Sequence, residues 1–136
     1  MKISIITIVY NNHLHIADCI RSVLAQSYPD IEHIVIDGGS TDGTQAAIAP
    51  FIGQLAYYES AKDRGLYDAL NKGILKATGE VVGILHSDDL YYEADTIERI
   101  VKTYRTTGTD IVSSNVYDLK KSISVPAKSV LILNIK

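Results

Sequence analysis

Short runs of β-branched and aliphatic residues alternate four times with segments whose apolar residues fall at helical spacing, and this alternation constrains the fold most. Ile3 to Val9, Ile31 to Ile36, Leu55 to Glu59 and Val81 to Leu85 read as strands, with Asp110 to Asn115 as a fifth. Between them, Ile16, Cys19, Ile20, Val23 and Leu24 form one helical face in a segment that starts at His13, with Asn11 or Asn12 as its cap, and that Pro29 closes. A helix of about ten residues, capped by Ser40, Thr41 or Asp42, ends near Pro50. Leu66, Ala69, Leu70, Gly73, Ile74 and Ala77 mark a third helix ended by Gly79, and Ile97, Ile100, Val101 and Tyr104 a fourth. Strands alternating with helices imply an α/β fold, a mostly parallel sheet with helices on both faces. Val125 to Ile135 reads as an edge strand or an unpaired tail.

Composition narrows the function. At 136 residues the chain is one domain's worth, and its net charge of -3, with 13 Lys and Arg scattered along it, gives no basic stripe for nucleic acid. The single cysteine, Cys19, excludes an internal disulfide, and its place on an apolar helix face predicts a buried reduced thiol in a cytoplasmic protein. No segment approaches the roughly 20 apolar residues of a membrane span, which leaves peripheral docking on a membrane as an option. His13 and His15, two apart on a helix, do not face one another, so solvent exposure rather than a metal pair is expected.

In open parallel sheets, ligands bind beyond the carboxyl ends of the strands. Tyr10 and Asn11, Asp37, Arg64, and Asp88 with Asp89 all lie just past strand ends. The run Val81-Val82-Gly83-Ile84-Leu85 has the look of a strand covered on both faces, and a buried strand has no use for the two acids that follow it. They must face solvent, a cation or a ligand; the alternative is an acidic turn capping the helix from Glu93 onward. After the second strand, Asp37-Gly38-Gly39-Ser40-Thr41-Asp42-Gly43-Thr44 joins a glycine turn to a helix start, an arrangement that suits a nucleotide or simply connects.

Five segments in order resemble the nucleotide-binding half of a family 2 glycosyltransferase of the GT-A (Rossmann-like) fold, from about Ser4 to Asn115. They are Thr7-Ile8-Val9-Tyr10-Asn11, Ser22-Val23-Leu24-Ala25-Gln26-Ser27-Tyr28, the Asp37 to Thr44 loop, Asp63 to Gly73, and Ser87-Asp88-Asp89. The resemblance implies a nucleotide-sugar donor, most readily a UDP-sugar, and a saccharide or lipid-linked acceptor. By position, Tyr10, Asn11 and neighbouring backbone including Gly38 would border the base, and Asp37 would contact base or ribose. Arg64 would neutralise the diphosphate or hold the base, Asp88 would accept from the ribose, and Asp89 would bind the metal. Mn²⁺ or Mg²⁺ suits oxygen ligands; the clustered Cys and His that zinc prefers are missing.

The sequence departs from the family pattern in three places. Many relatives carry a second acid where this chain has Gly38, and His86 stands where an earlier acid often precedes the pair. The catalytic base of the family belongs to an acceptor half usually placed well beyond residue 136, so residues 1–117 read as a partial donor-binding domain, residues 118–136 as a tail or edge strand, and the chain as a truncated one. Other classes fit less well. Receiver-like signalling domains carry paired acids after the first strand, where Tyr10-Asn11-Asn12 stands here, and no Gly-x-Gly-x-x-Gly follows that strand as in a dinucleotide oxidoreductase. A non-catalytic remnant would survive as a folded or homo-oligomerising module, covering the apolar surface of an incomplete sheet.

Overall fold

The structure, a computed structural model, describes residues 1–108, 111–118 and 123–134, with side chains described through residue 108. Its elements are β1 (Ile3–Val9), α1 (Ile16–Leu24), β2 (Ile31–Asp37), α2 (Thr44–Ile48), β3 (Tyr57–Ser60), α3 (Leu66–Lys76), β4 (Val81–Ile84), β5 (Asp89–Leu90), α4 (Thr96–Thr107), β6 (Ile111–Asp118) and β7 (Ile123–Asn134). They form one seven-stranded sheet in the order β3-β2-β1-β4-β7-β6-β5. The first four strands are parallel, as expected, with Ile3 opposite both Ile31 and Val81. The remaining three pairings are antiparallel.

Period-two alternation places helices on both faces. Ile3 and Ile5 of β1 pack against Cys19 and Val23 of α1 and against Ile97, Ile100 and Val101 of α4. Ile6 points the other way, to Ile34, Ile36, Val82 and Ala69 of α3. Val9 joins Ile16, Ile20, Val35 and Ile48 in a third cluster. Each of these fully buried branched side chains contributes about 1.5–3 kcal/mol relative to leaving it in water. Among the described residues, no helix is long and apolar enough to cross a membrane.

Several boundaries differ from expectation for local reasons. Residues 13–15 form a turn rather than helix, because Asp42 accepts the His13 N–H and bonds the His13 ring, drawing the segment toward the β2 loop. Asn12 does not cap α1 through its side chain, which reaches Ser87 instead. The expected ten-residue helix is split into five α-helical residues and a 3₁₀ stretch, Ala49–Gln54, where Pro50 has no N–H to continue the α ladder. Its N-cap is Gly43 (φ 98°) rather than Ser40, Thr41 or Asp42, and Asp42 accepts the Thr44 N–H at 3.0 Å from one residue further back. β3 is shifted toward Ser60, and α3 ends at Lys76, with Ala77 rather than Gly79 as its cap. Gly79 serves a close approach instead: a Cβ there would stand 2.5 Å from Ser4 Oγ and 2.8 Å from the Lys2 carbonyl.

The largest difference is β7. The segment read as an edge strand or tail lies between β4 and β6, with Ile84 opposite Leu131 and Val112 opposite Ile132. Asp110 and Ile135, which bounded the two expected segments, lie outside the described residues.

Candidate functional site

The sheet order reverses at β1: β2 and β3 follow on one side, and the chain returns through α3 to lay β4 on the other. In doubly wound sheets the crevice at that reversal is where ligands bind. Here the four loops leaving the carboxyl ends of β1 to β4 are tied to one another by side chains.

Asn11 and Asn12 are the centre of this web. Asn11 takes a left-handed backbone (φ 46°), a conformation asparagine tolerates. Its N–H donates to Ser40 Oγ and its Oδ1 accepts the Thr41 N–H, both at 2.8 Å. Asn12 donates its N–H to Thr44 Oγ1 and its side-chain amide to Ser87 Oγ, each at 3.0 Å. The β1 loop is thereby joined to the β2 loop and to the loop that carries the acid pair. Asp42 closes the ring, accepting from the Thr44 hydroxyl at 2.5 Å and pairing with His13 at 2.9 Å. The Thr44 hydroxyl above all, then His13, holds the Asp42 carboxyl well below the usual carboxylate range despite some desolvation.

Asp37, expected to contact base or ribose, closes β2. It is fully buried, and its carboxylate accepts the Ser40 hydroxyl and N–H and the Ser60 hydroxyl, the last at 2.5 Å. Both oxygens thus go to the β2 and β3 loops, and Gln45 reinforces the junction by donating to Ser40 O and Ser60 Oγ.

Asp88 is half-buried and Asp89 is buried, opening β5 opposite Asp118. The alternative of a helix cap is excluded, since α4 starts at Thr96 with Asp95 before it. Asp89 does not face bulk solvent. Both acids stand near the Cys19 thiol, whose pKa is pushed up to about 12, chiefly by burial, against the Thr7 hydrogen bond, with the two carboxylates adding to the rise. No cluster of three His, Cys, Asp or Glu side chains that could hold a metal ion occurs among the described residues. Two adjacent carboxylates do fit a hard cation that takes its other oxygens from phosphate and water.

On the α3 side of the same edge lies a cavity of about 440 Å³ lined by Ile8, Val9, Tyr10, Gly38, Lys62, Asp63, Gly65 and Leu66. Tyr10 and Leu66 are 63% and 51% exposed and form its rim. Arg64 is exposed beside it, at the start of α3, where its N–H donates to Asp68 Oδ2 at 3.0 Å. Gly65 adopts φ 113°, a conformation closed to most residues, and gives its N–H to Asp63 Oδ1. Of the expected site residues, the cavity brings together Tyr10 and Gly38, Arg64 flanks it, and Asp88 and Asp89 lie across β1 on the α1 side. His86 is half-buried and its carbonyl accepts from Cys19 Sγ. Sequence reasoning missed Asn12, Ser40, Asp42, Ser60, Asp63 and Ser87. The Asp-x-Gly spacing of Asp63 to Gly65 ahead of a helix was the available signal for one of them.

The sequence and the fold match known proteins. Residues 4–128 match glycosyl transferase family 2, and the chain belongs to that family. It is 39% identical over 107 residues to an uncharacterized glycosyltransferase of Mycobacterium tuberculosis, a match covering 78% of this chain and 41% of that one. It is 40% identical over 85 residues to a PGL/p-HBAD biosynthesis glycosyltransferase of Mycobacterium bovis, covering 60% and 33% respectively. Among solved structures it is similar to a mannosyltransferase from Pyrobaculum calidifontis in complex with GDP-Man and Mn²⁺, with a TM-score of 0.80 and 26% identity over 98% of this chain and 44% of that one. It is also similar to residues 1–349 of S. aureus TarS in complex with UDP-GlcNAc, with a TM-score of 0.73 and 25% identity over 82% and 33%. The chain spans about two-fifths of the length of the first curated relatives it matches.

Proposed function

We propose that this chain is the donor-binding part of an inverting glycosyltransferase that builds polysaccharide or cell-surface glycans from a nucleotide-diphosphate sugar. The observation that carries the reading is the joining of four loops at the switch point, where an open cavity and a pair of acids flank one strand. The family match and the nucleotide-sugar complexes of the structural neighbours support it.

The nucleoside lies in the Tyr10, Gly38 and Leu66 cavity, Arg64 offsets diphosphate charge, and Asp88 accepts a ribose hydroxyl. Asp89 would hold Mn²⁺ or Mg²⁺, which when bound would offset the charge that builds up on the departing diphosphate. Asp37 acts through Ser40 and Ser60, keeping the β2 and β3 loops in register beneath the nucleotide. In the transfer itself, an acceptor hydroxyl of a saccharide or lipid-linked sugar loses its proton to a carboxylate and bonds to the anomeric carbon. The bond from that carbon to the diphosphate breaks on the opposite face. Residues assigned here serve the leaving-group side.

Calorimetric titration with UDP, with and without Mn²⁺, tests the reading. Metal-dependent binding that falls at least ten-fold in Asp89→Asn is expected. Binding that ignores the metal, or no binding to a folded protein, would refute it.

A further inference from the structure

The space where position 38 would carry a side chain is filled from elsewhere. A Cβ on Gly38 would stand 2.8 Å from Asp63 Oδ2 and 3.3 Å from Asp63 Cγ and Oδ1. Gly38 is buried and Asp63 half-buried, and both line the 440 Å³ cavity. Asp63 is also oriented: Oδ1 accepts the Gly65 N–H at 2.9 Å, which leaves Oδ2 as the oxygen presented beside Gly38. The remaining lining is Ile8, Val9, Tyr10 and Leu66, apolar or aromatic, with Gly65 and with Lys62, a cation that donates only and so leaves Asp63 as the carboxylate acceptor of this lining. A flat ring bordered by such walls and met by one carboxylate is read by that carboxylate.

We infer that Asp63 is the residue that selects the nucleobase of the donor, an inference that rests on the nucleotide-binding reading above. An ionised carboxylate accepts hydrogen bonds and donates none. It therefore matches a base whose pairing edge carries a ring N–H: uracil at N3, or guanine at N1 with its adjacent amino group. Cytosine N3 and adenine N1 are lone pairs, so to donate to Asp63 Oδ2 these bases must use the exocyclic amino group beside that position and shift in the cavity to do so. A site built around one polar group rejects the ligand that leaves that group unmatched, by about ten-fold or more for a single edge contact. Asparagine at the same position carries an amide that donates to a ring lone pair, so the substitution reverses the match for cytosine.

The test is calorimetric titration of the protein, in Mn²⁺, with UDP, GDP, CDP and ADP. The wild type is expected to bind UDP or GDP at least ten-fold more tightly than CDP and ADP. Asp63→Asn is expected to keep metal-dependent binding while UDP weakens and CDP strengthens, bringing the two within about three-fold of each other. Gly38→Ala, which displaces Oδ2 while leaving Asp63 unsubstituted, is expected to erode the same preference, and it decides the matter if Asp63→Asn does not fold. Equal binding of all four nucleotides by the wild type, or an unchanged preference in the folded variants, overturns the role of Asp63 and leaves the nucleotide site standing. No binding of any nucleotide overturns both.

Discussion

Acidification should expose His33 as the weakest point of the core. This side chain sits in β2 with 3% of its surface exposed, its Nε2 2.8 Å from Thr7 Oγ1 and its Nδ1 without a hydrogen-bond partner among the described residues. Burial pulls its pKa from the ordinary 6.5 down to about 3, because a charged imidazole would have to give up water with nothing to replace it. The unfolded chain therefore binds a proton below pH 6.5 that the folded chain refuses until about pH 3. Stability is undiminished above 6.5 and falls as the pH drops through that window, at about 1.4 kcal/mol per pH unit, reaching about 2.7 kcal/mol by pH 4.5. Glu32, held below its ordinary 4.5 by Ser4, Thr78 and Lys2 against the opposing effect of its own burial, adds a loss only below that value. Urea unfolding followed by circular dichroism at pH 7.5 and 4.5 measures the difference. Wild type should lose about 2.7 kcal/mol between the two, and His33→Gln, which cannot take up the proton, a small fraction of that. An equal loss in both proteins, or none in the wild type, would refute the assignment.

Two further outcomes follow from the same geometry. Asn12→Ala removes the bridge from the β1 loop to Ser87 and should weaken UDP binding in Mn²⁺ about ten-fold while costing only about 0.5–1.5 kcal/mol in urea unfolding. A stability loss with unchanged affinity would show that the bridge does not position the acid loop. The Cys19 thiol, buried and raised to about 12, should react with a thiol reagent at pH 8 only as fast as the protein opens, and at once in urea. Rapid labelling of the folded protein would contradict the packing of α1 on β1.

Much of the parallel half of the sheet is legible residue by residue. Ile3 to Val9 is rich in apolar residues on both alternating faces because helices cover both, and the α1 stripe of Ile16, Cys19, Ile20 and Val23 is the buried one. The same periodicity is silent about β7, because antiparallel and edge strands can share one local pattern and differ only in their neighbours. The site follows the same division. Position past a strand end marked Tyr10, Asp37, Arg64, Asp88 and Asp89 as candidates, yet it does not distinguish a carboxylate offered to a ligand from one spent on two serines, as at Asp37.

The sequence by itself determined which segments are strands and helices, which faces they bury, and which loops carry acids, since burial of a short segment is written in the spacing of its own residues. Only the tertiary structure decided that Asn12 meets Ser87, 75 residues away, that Asp63 fills the place of a side chain at Gly38, and that β7 enters the middle of the sheet. Those contacts depend on the register of parallel strands and on where crossover helices return the chain, quantities that no local window of residues contains.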